Sequence, residues 1–470
     1  MAGTFMIGET KVRPGAYFNL NKKGDGALAG AINGIVGVLF KSDWGPLNEA
    51  VEISADDGYY STYGNGGSTD AIGLAFEGGA VTAVCCRVGN GGTQGNVKLN
   101  LEEGDTEAVS ITAKYVGSKK FTVSIKDKLS DDTQRECIIY DGTKEFEKVT
   151  FAKGDDEVAA LVAAFSNSKN FTVAKVGSAS GELAAVTQTA MTAGTDPTTQ
   201  VQDYSNGFEA LEPYSLNTVC VDTEDQAVHG LLDSFLDRIF DVGQLAMGVV
   251  GEKSTVDLED RIAHAAAYNS EKIIYVLNGS VSSTSYGEID GYQTAAKIAG
   301  MIAACAANTS LTHTVLDKVT GLNERLTPTQ MTKAEQSGCL VLSVNKNKQV
   351  WIDNAINTLV TPADNQDDGW KKIRRTKTRY EMITRMNDQA DSLVGKVDND
   401  KNGRATIISQ LQGIGDTMIE VGKLTACSVT ESTVYQADGD SAWFEIDCID
   451  KDSAEHIYLM YYFRFSTNEE

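Results

Sequence analysis

The chain has 470 residues, more than one core of ordinary size needs, and at about 150 residues per domain the length suggests roughly three. Its 41% hydrophobic and 23% charged residues sit near globular norms and argue against wholesale disorder. Lys plus Arg number 41 and Asp plus Glu 65, a formal charge of −24, which excludes binding of nucleic acid or an anionic membrane by bulk electrostatics.

Taken from the start, Met1–Gly8 lacks the basic-then-apolar order of a secretory signal. Residues 1–20 read as an extended arm: Pro14 fixes its own φ and pushes Arg13 towards extended backbone. Residues 21–95 read as the first part of an α/β core. Gly34–Phe40 and Val81–Val88 are near-continuous apolar runs of strand length, which suit a parallel sheet covered on both faces. Residues 96–195 change to period-two alternation, at 97–101, 110–116, 121–125 and 136–140, with short turns and one helix near Glu157–Phe165. That texture predicts an inserted β-sandwich or barrel, left through the Thr/Gly/Pro-rich loop Met191–Gln200.

Over 196–360 strands and helices alternate again, arguing for a parallel α/β sheet. Thr218–Val221 is a strand, and Thr223-Glu-Asp-Gln226 has the spacing of a capping box opening a helix. Strands over 246–250, 272–277 and 339–344 follow, with helices near Leu258–Tyr268 and Tyr292–Ala307. The apolar stretch Ala295–Ala307 contains Lys297 and is too short to span a bilayer. Residues 361–454 form a third texture: an amphipathic helix carrying Met382, Ile383, Met386, Leu393 and Val394, a second helix over 405–420, and a strand over 443–449. The last segment, 455–470, holds Ile457 to Phe465, apolar on both faces. It therefore reads as a strand buried on both sides, a candidate for pairing with another chain.

Several patterns invite chemistry. Asp398-Asn-Asp-Lys-Asn-Gly403 matches half of a calcium loop, but Ser409 stands where the bidentate Glu belongs, so a helix-joining turn is the better reading. Gly89–Gly95 lacks phosphate-loop spacing and leads into a strand, which makes it a domain junction. The four histidines (229, 264, 313, 456) have no serine elbow or metal-ligand motif near them. The eight cysteines form no C-x-x-C pair and fit free thiols in a reducing cytoplasm. Neither a cofactor nor a metal is called for. Lys371, Lys372, Arg374, Arg375, Lys377 and Arg379 crowd nine residues with no acid among them. Either Asp364, Asp367 and Asp368 neutralise a solvated helix start, or an acidic protein surface docks there.

Val12-Arg-Pro-Gly-Ala-Tyr17, the loop Ser310 to Pro328, the strand Gly338–Leu342, the turn Gly395-Lys-Val-Asp-Asn-Asp400 with Gly403-Arg404, and Ala454–Tyr458 occur in an order that resembles the sheath protein of contractile phage tails and phage-tail-like bacteriocins (tailocins). The resemblance implies an α/β fold: a subtilisin-like-topology α/β domain without catalytic function, an inserted β-sandwich, a C-terminal α+β domain near the tube, and extended terminal arms. It implies a subunit that polymerises helically around a tail tube and contracts to drive that tube through a cell envelope. Arms that join neighbouring subunits would use Val12, Arg13, Pro14, Gly15 and Tyr17 at one end and Ile457, Leu459, Tyr461 and Phe463 at the other. The 371–379 cluster would face an acidic tube. Expected partners are further copies of the chain, the tail tube protein, and baseplate and tail terminator proteins, with no direct nucleic-acid contact and no membrane insertion. Assembly would occur in a bacterial host cytoplasm, the product being a virion tail or tail-like particle. The rival readings are an α/β hydrolytic enzyme with an accessory β domain, and a surface adhesin.

Overall fold

The computed structural model describes residues 34–464, together with the backbone of Gly3–Thr4 and Tyr17–Phe18. Seven strands form its central sheet: β1 (Ile35–Phe40), β2 (Ala50–Ser54), β3 (Thr82–Arg87), β4 (Thr218–Val221), β5 (Met247–Gly251), β6 (Ile273–Val276) and β7 (Cys339–Leu340). Their order is β7-β6-β5-β4-β1-β3-β2, parallel throughout except for the edge strand β2.

Alternating side chains of a strand point to opposite faces, so an unbroken apolar run must be covered twice. Val36, Val38 and Phe40 enter one core with α1 (Asp70–Glu77), while Leu39 enters the other with α2 (Val201–Leu211) and α3 (Gln226–Asp241). Helix α4 (Gly291–Ala304) lies over the first face. Gly300 lets it approach α1: a Cβ there would overlap the Ala75 carbonyl. Lys297, inside the apolar stretch, is 1% exposed and ion-paired to Glu77 at 3.0 Å. Among the described residues no helix is long and apolar enough to cross a membrane.

Two expectations change here. Helix α3 starts at Gln226 and is capped by Asp225, whose carboxylate accepts from Ala227 N at 2.9 Å, rather than by Thr223. The apolar run 339–344 breaks in two. Cys339–Leu340 ends the parallel sheet, whereas Leu342–Val344 leaves it to pair antiparallel with Val350–Ile352.

Residues 94–190 form two antiparallel sheets, one of four strands and one of three, whose facing side chains share a core with the helix Glu157–Ala164. Trp44, from the segment after β1, lies within that core, with ring centroids 4.9 Å from Phe121 and 5.9 Å from Phe171. Buried Arg87, at the end of β3, donates to the carbonyls of Ser42, Gly45 and Val116. The glycine-rich stretch after β3 is a two-stranded passage rather than a loose link: Asn90, Thr93 and Asn96 bridge to Thr198, Thr195 and Thr192.

The chain then forms α5 (Ile373–Leu393), α6 (Lys401–Glu420) and a hairpin of β8 (Ala426–Glu431) and β9 (Phe444–Ile449). Its two small clusters centre on Met386, Leu411, Met418, Leu424 and Val429. The half-matched calcium loop joins α5 to α6, with Asp400 capping α6 by accepting from Gly403 N at 2.7 Å.

Candidate assembly surface

The segment after β9 is where the structure departs most from the strand expected there. Among the described residues 450–464 none belongs to a strand. Ile457, Leu459, Tyr461 and Phe463 are exposed by 72%, 67%, 73% and 83%, not buried on both sides. Tyr458, Met460 and Tyr462 are exposed as well. A strand needs a partner edge, and among the described residues none pairs with this segment. At the other end, Val12, Arg13, Pro14 and Gly15 lie outside the described residues. Tyr17–Phe18 pairs in parallel with Gly3–Thr4 of the same chain.

The exposed tail leaves from a tightly held root. Lys372 Nζ reaches Asp452 at 2.6 Å and Glu455 at 2.8 Å. Arg375 holds Asp450 through two bonds of 2.5 Å from Nε and Nη2. Glu455 also accepts from Ser310 Oγ at 2.8 Å and Thr312 Oγ1 at 3.2 Å, which ties the root to the loop after α4. Burial alone would raise the Glu455 carboxyl, but hydrogen bonds from Lys372, Ser453 and Ser310 hold it below the ordinary glutamate value. For Lys372 burial acts to lower the ammonium, and the bonds to Asp452 and Glu455 outweigh it and raise it.

The six cations between 371 and 379 do not present an open basic face in this conformation. Arg374 and Lys377 are buried, and Lys377 Nζ caps the C-terminus of α4 through the carbonyls of Ile302 and Cys305. Arg379 pairs with buried Glu271 at 3.3 Å and lies over the Trp370 ring at 4.0 Å. Asp367 does contribute to neutralisation, 3.4 Å from Arg375, but the closer acids are Asp450 and Asp452. The expectation missed these two and Glu455 because they lie some 75 to 83 positions away in sequence. A visible signal was there: an acid-rich stretch immediately before an apolar tail, in a chain with one dense basic cluster.

The remaining chemical candidates take structural places. His229 is buried, its Nε2 2.9 Å from the Thr223 carbonyl, and His264 lies 3.1 Å from Glu252. The His313 ring stacks on Trp351 at 3.9 Å, while His456 is exposed in the tail. A cavity of about 310 Å³ opens beside β1 and β4, lined by Lys41, Tyr204 and Thr223 among others. At its edge Asp222 accepts from Tyr204 Oη at 2.5 Å and pairs with Lys41 at 3.0 Å. Among the described residues no group of three or more His, Cys, Asp or Glu is placed to hold a metal.

Comparison with known proteins accounts for this architecture. Residues 198–358 match the phage tail sheath protein central domain. The Phage-like element PBSX protein XkdK of Bacillus subtilis (strain 168) is 23% identical across 97% of this chain and 98% of its own length. Among solved structures, the sheath tail protein of Desulfitobacterium hafniense superposes with a TM-score of 0.67 at 20% identity, covering 93% of this chain and 100% of that one. The helical sheath of the anti-feeding prophage in its contracted state superposes with a TM-score of 0.55 at 11% identity, over 97% of this chain and 99% of that one. The chain therefore carries a phage tail sheath central domain inside a mixed α/β sheath-protein fold. The resemblance seen in its motifs is borne out by the matched central domain and by the fold shared with these sheath proteins.

Proposed function

We propose that this chain is the structural subunit of a contractile sheath: it polymerises helically around a tail tube and contracts to drive the tube through a target envelope. The observation that carries this, beside the sheath domain, is the apolar Ile457–Phe463 segment, exposed and anchored at its root by ion pairs. The hairpin β8–β9 is a two-stranded sheet. A strand from another copy can add to such an edge by main-chain hydrogen bonds. Because donor and acceptor surfaces differ, the contact is head-to-tail and propagates as a helix rather than closing a dimer. Residues 12–17 make the corresponding link at the other end.

On this reading the arms stay joined while rigid subunits slide past one another, and a gain of a few kcal/mol per subunit is multiplied along the lattice. The parallel sheet is the subtilisin-like domain of such a subunit, residues 96–195 its outward insertion, and 361–454 the part nearest the tube. Tube, baseplate and terminator proteins are its partners, and a bacterial host cytoplasm its place of assembly. A tube surface competes with Asp450, Asp452 and Glu455 for Lys372 and Arg375, so tube contact and release of the tail root are coupled.

The hydrolytic alternative draws no support, since the matched domain is that of a structural protein. Negative-stain microscopy of purified full-length protein and of a variant lacking residues 457–470 tests the proposal. Hollow rods from the first and discrete folded particles from the second are expected; rods from both would overturn it.

A further inference from the structure

The eight cysteines are free thiols, but two of them are not scattered. Cys427 on β8 and Cys448 on β9 face each other in the hairpin register. Just beyond the strands, Ser432 N bonds to Trp443 O at 2.9 Å, which marks 432/443 as a hydrogen-bonded pair. Such pairs alternate along an antiparallel ladder, so 428/447 is hydrogen-bonded and 427/448 is not. At non-hydrogen-bonded pairs opposing Cα atoms approach to about 4.5 Å, within the roughly 4.4–6.8 Å that a disulfide spans. The two sulfurs are 3.1 Å apart. Closing that gap to the roughly 2.05 Å of a disulfide asks for side-chain rotation and little backbone movement.

The surroundings favour these two thiols over the rest. Both are half-buried, whereas Cys85, Cys86, Cys137, Cys220 and Cys339 are buried and Cys305 accepts a bond from Lys377. Gly415 of α6 faces Cys427 so closely that a Cβ there would overlap its sulfur, so the helix limits where that side chain can go. Gln412 of the same helix donates to the Cys427 carbonyl at 3.0 Å and accepts from Val429 N at 3.0 Å, pinning β8 in place.

We propose that Cys427 and Cys448 form a redox modification site, closing to a cross-strand disulfide by exchange with a small oxidised disulfide of the glutathione class. The Cys427 thiolate attacks one sulfur of the oxidant, whose other half leaves as a thiolate. Cys448, deprotonated, then attacks the Cys427 sulfur of the mixed disulfide and expels the second thiolate. Two S–H groups become one S–S bond, and their two electrons and two protons reduce the oxidant to two thiols. The order of attack follows from the hydrogen bond that Cys448 donates: it lowers the Cys427 thiol, against burial and the nearby Asp416 and Asp447, while Cys448 is raised. Closure ties together the two strands that, on the sheath reading, receive a neighbour's tail. That consequence rests on the sheath reading, but the chemistry does not.

The test uses full-length reduced protein exposed to oxidised glutathione, unfolded and alkylated, then read by intact mass and peptide mapping. Wild type is expected to alkylate at six of its eight cysteines, to lose two hydrogen masses, and to yield one linked peptide pair containing 427 and 448. Cys448→Ser should instead carry one stable glutathione adduct on Cys427. Alkylation of all eight thiols in oxidised wild type, a link mapping to other cysteines, or equal glutathione adducts in both proteins would overturn the proposal. Wild type alone decides it if the variant fails to fold, and rod formation is scored separately, so failure of the sheath reading stays distinguishable.

Discussion

The parallel sheet and the C-terminal hairpin use their hydrophobic residues in opposite ways. In the sheet, Val36, Val38, Leu39, Val219, Ile274 and Leu340 are fully buried and helices cover both faces. The hairpin has two strands, two small clusters beneath it and a long apolar tail left in solvent. A two-stranded ribbon is marginal alone, and burying more apolar surface needs another strand or another layer. One region thus completes its fold within the chain, while the other stops short with the missing material displayed beside it.

The largest effect expected from this contrast is on assembly rather than stability. Residues 457–464 are exposed, so in a variant lacking 457–470 the melting temperature should hold while rod formation is lost. A marked drop in melting temperature would mean that the tail packs on its own subunit. Next comes Trp44→Ala, which empties the centre of the inserted β core and should cost about 4 kcal/mol by denaturant titration. A loss confined to signals from residues 94–190 would show that this core melts apart from the parallel sheet.

Smaller again is Arg375→Ala, which removes the paired bonds to Asp450. These groups are only partly buried, so about 1 kcal/mol is expected, diminishing with salt. Hydrogen exchange should rise over 450–455 and stay unchanged in β4. Acid should have the mildest effect. Glu455 is held low when folded, so its contribution is present above the unfolded glutamate value and disappears as pH falls through the folded one. Lys372 is raised, so its share is lost only on going strongly alkaline. Exchange over 450–455, corrected for intrinsic rate, should therefore be flat around neutrality and increase below about pH 4.

Local pattern alone determined much of this protein: the apolar runs of β1, β3 and β4, the alternation across 97–140, the helix Leu258–Tyr268, and Asp400 as part of a turn between two helices. Those features are legible because periodicity and capping act over a few residues. Only tertiary structure decided that 339–344 divides between two sheets and that the apolar tail pairs with no strand among the described residues. The same holds for the basic cluster, which meets acids beyond position 449, and for Cys427 opposite Cys448. Each depends on which distant segments the folded chain brings together. Charge and hydrophobicity say that a partner is needed, but the path of the backbone chooses it.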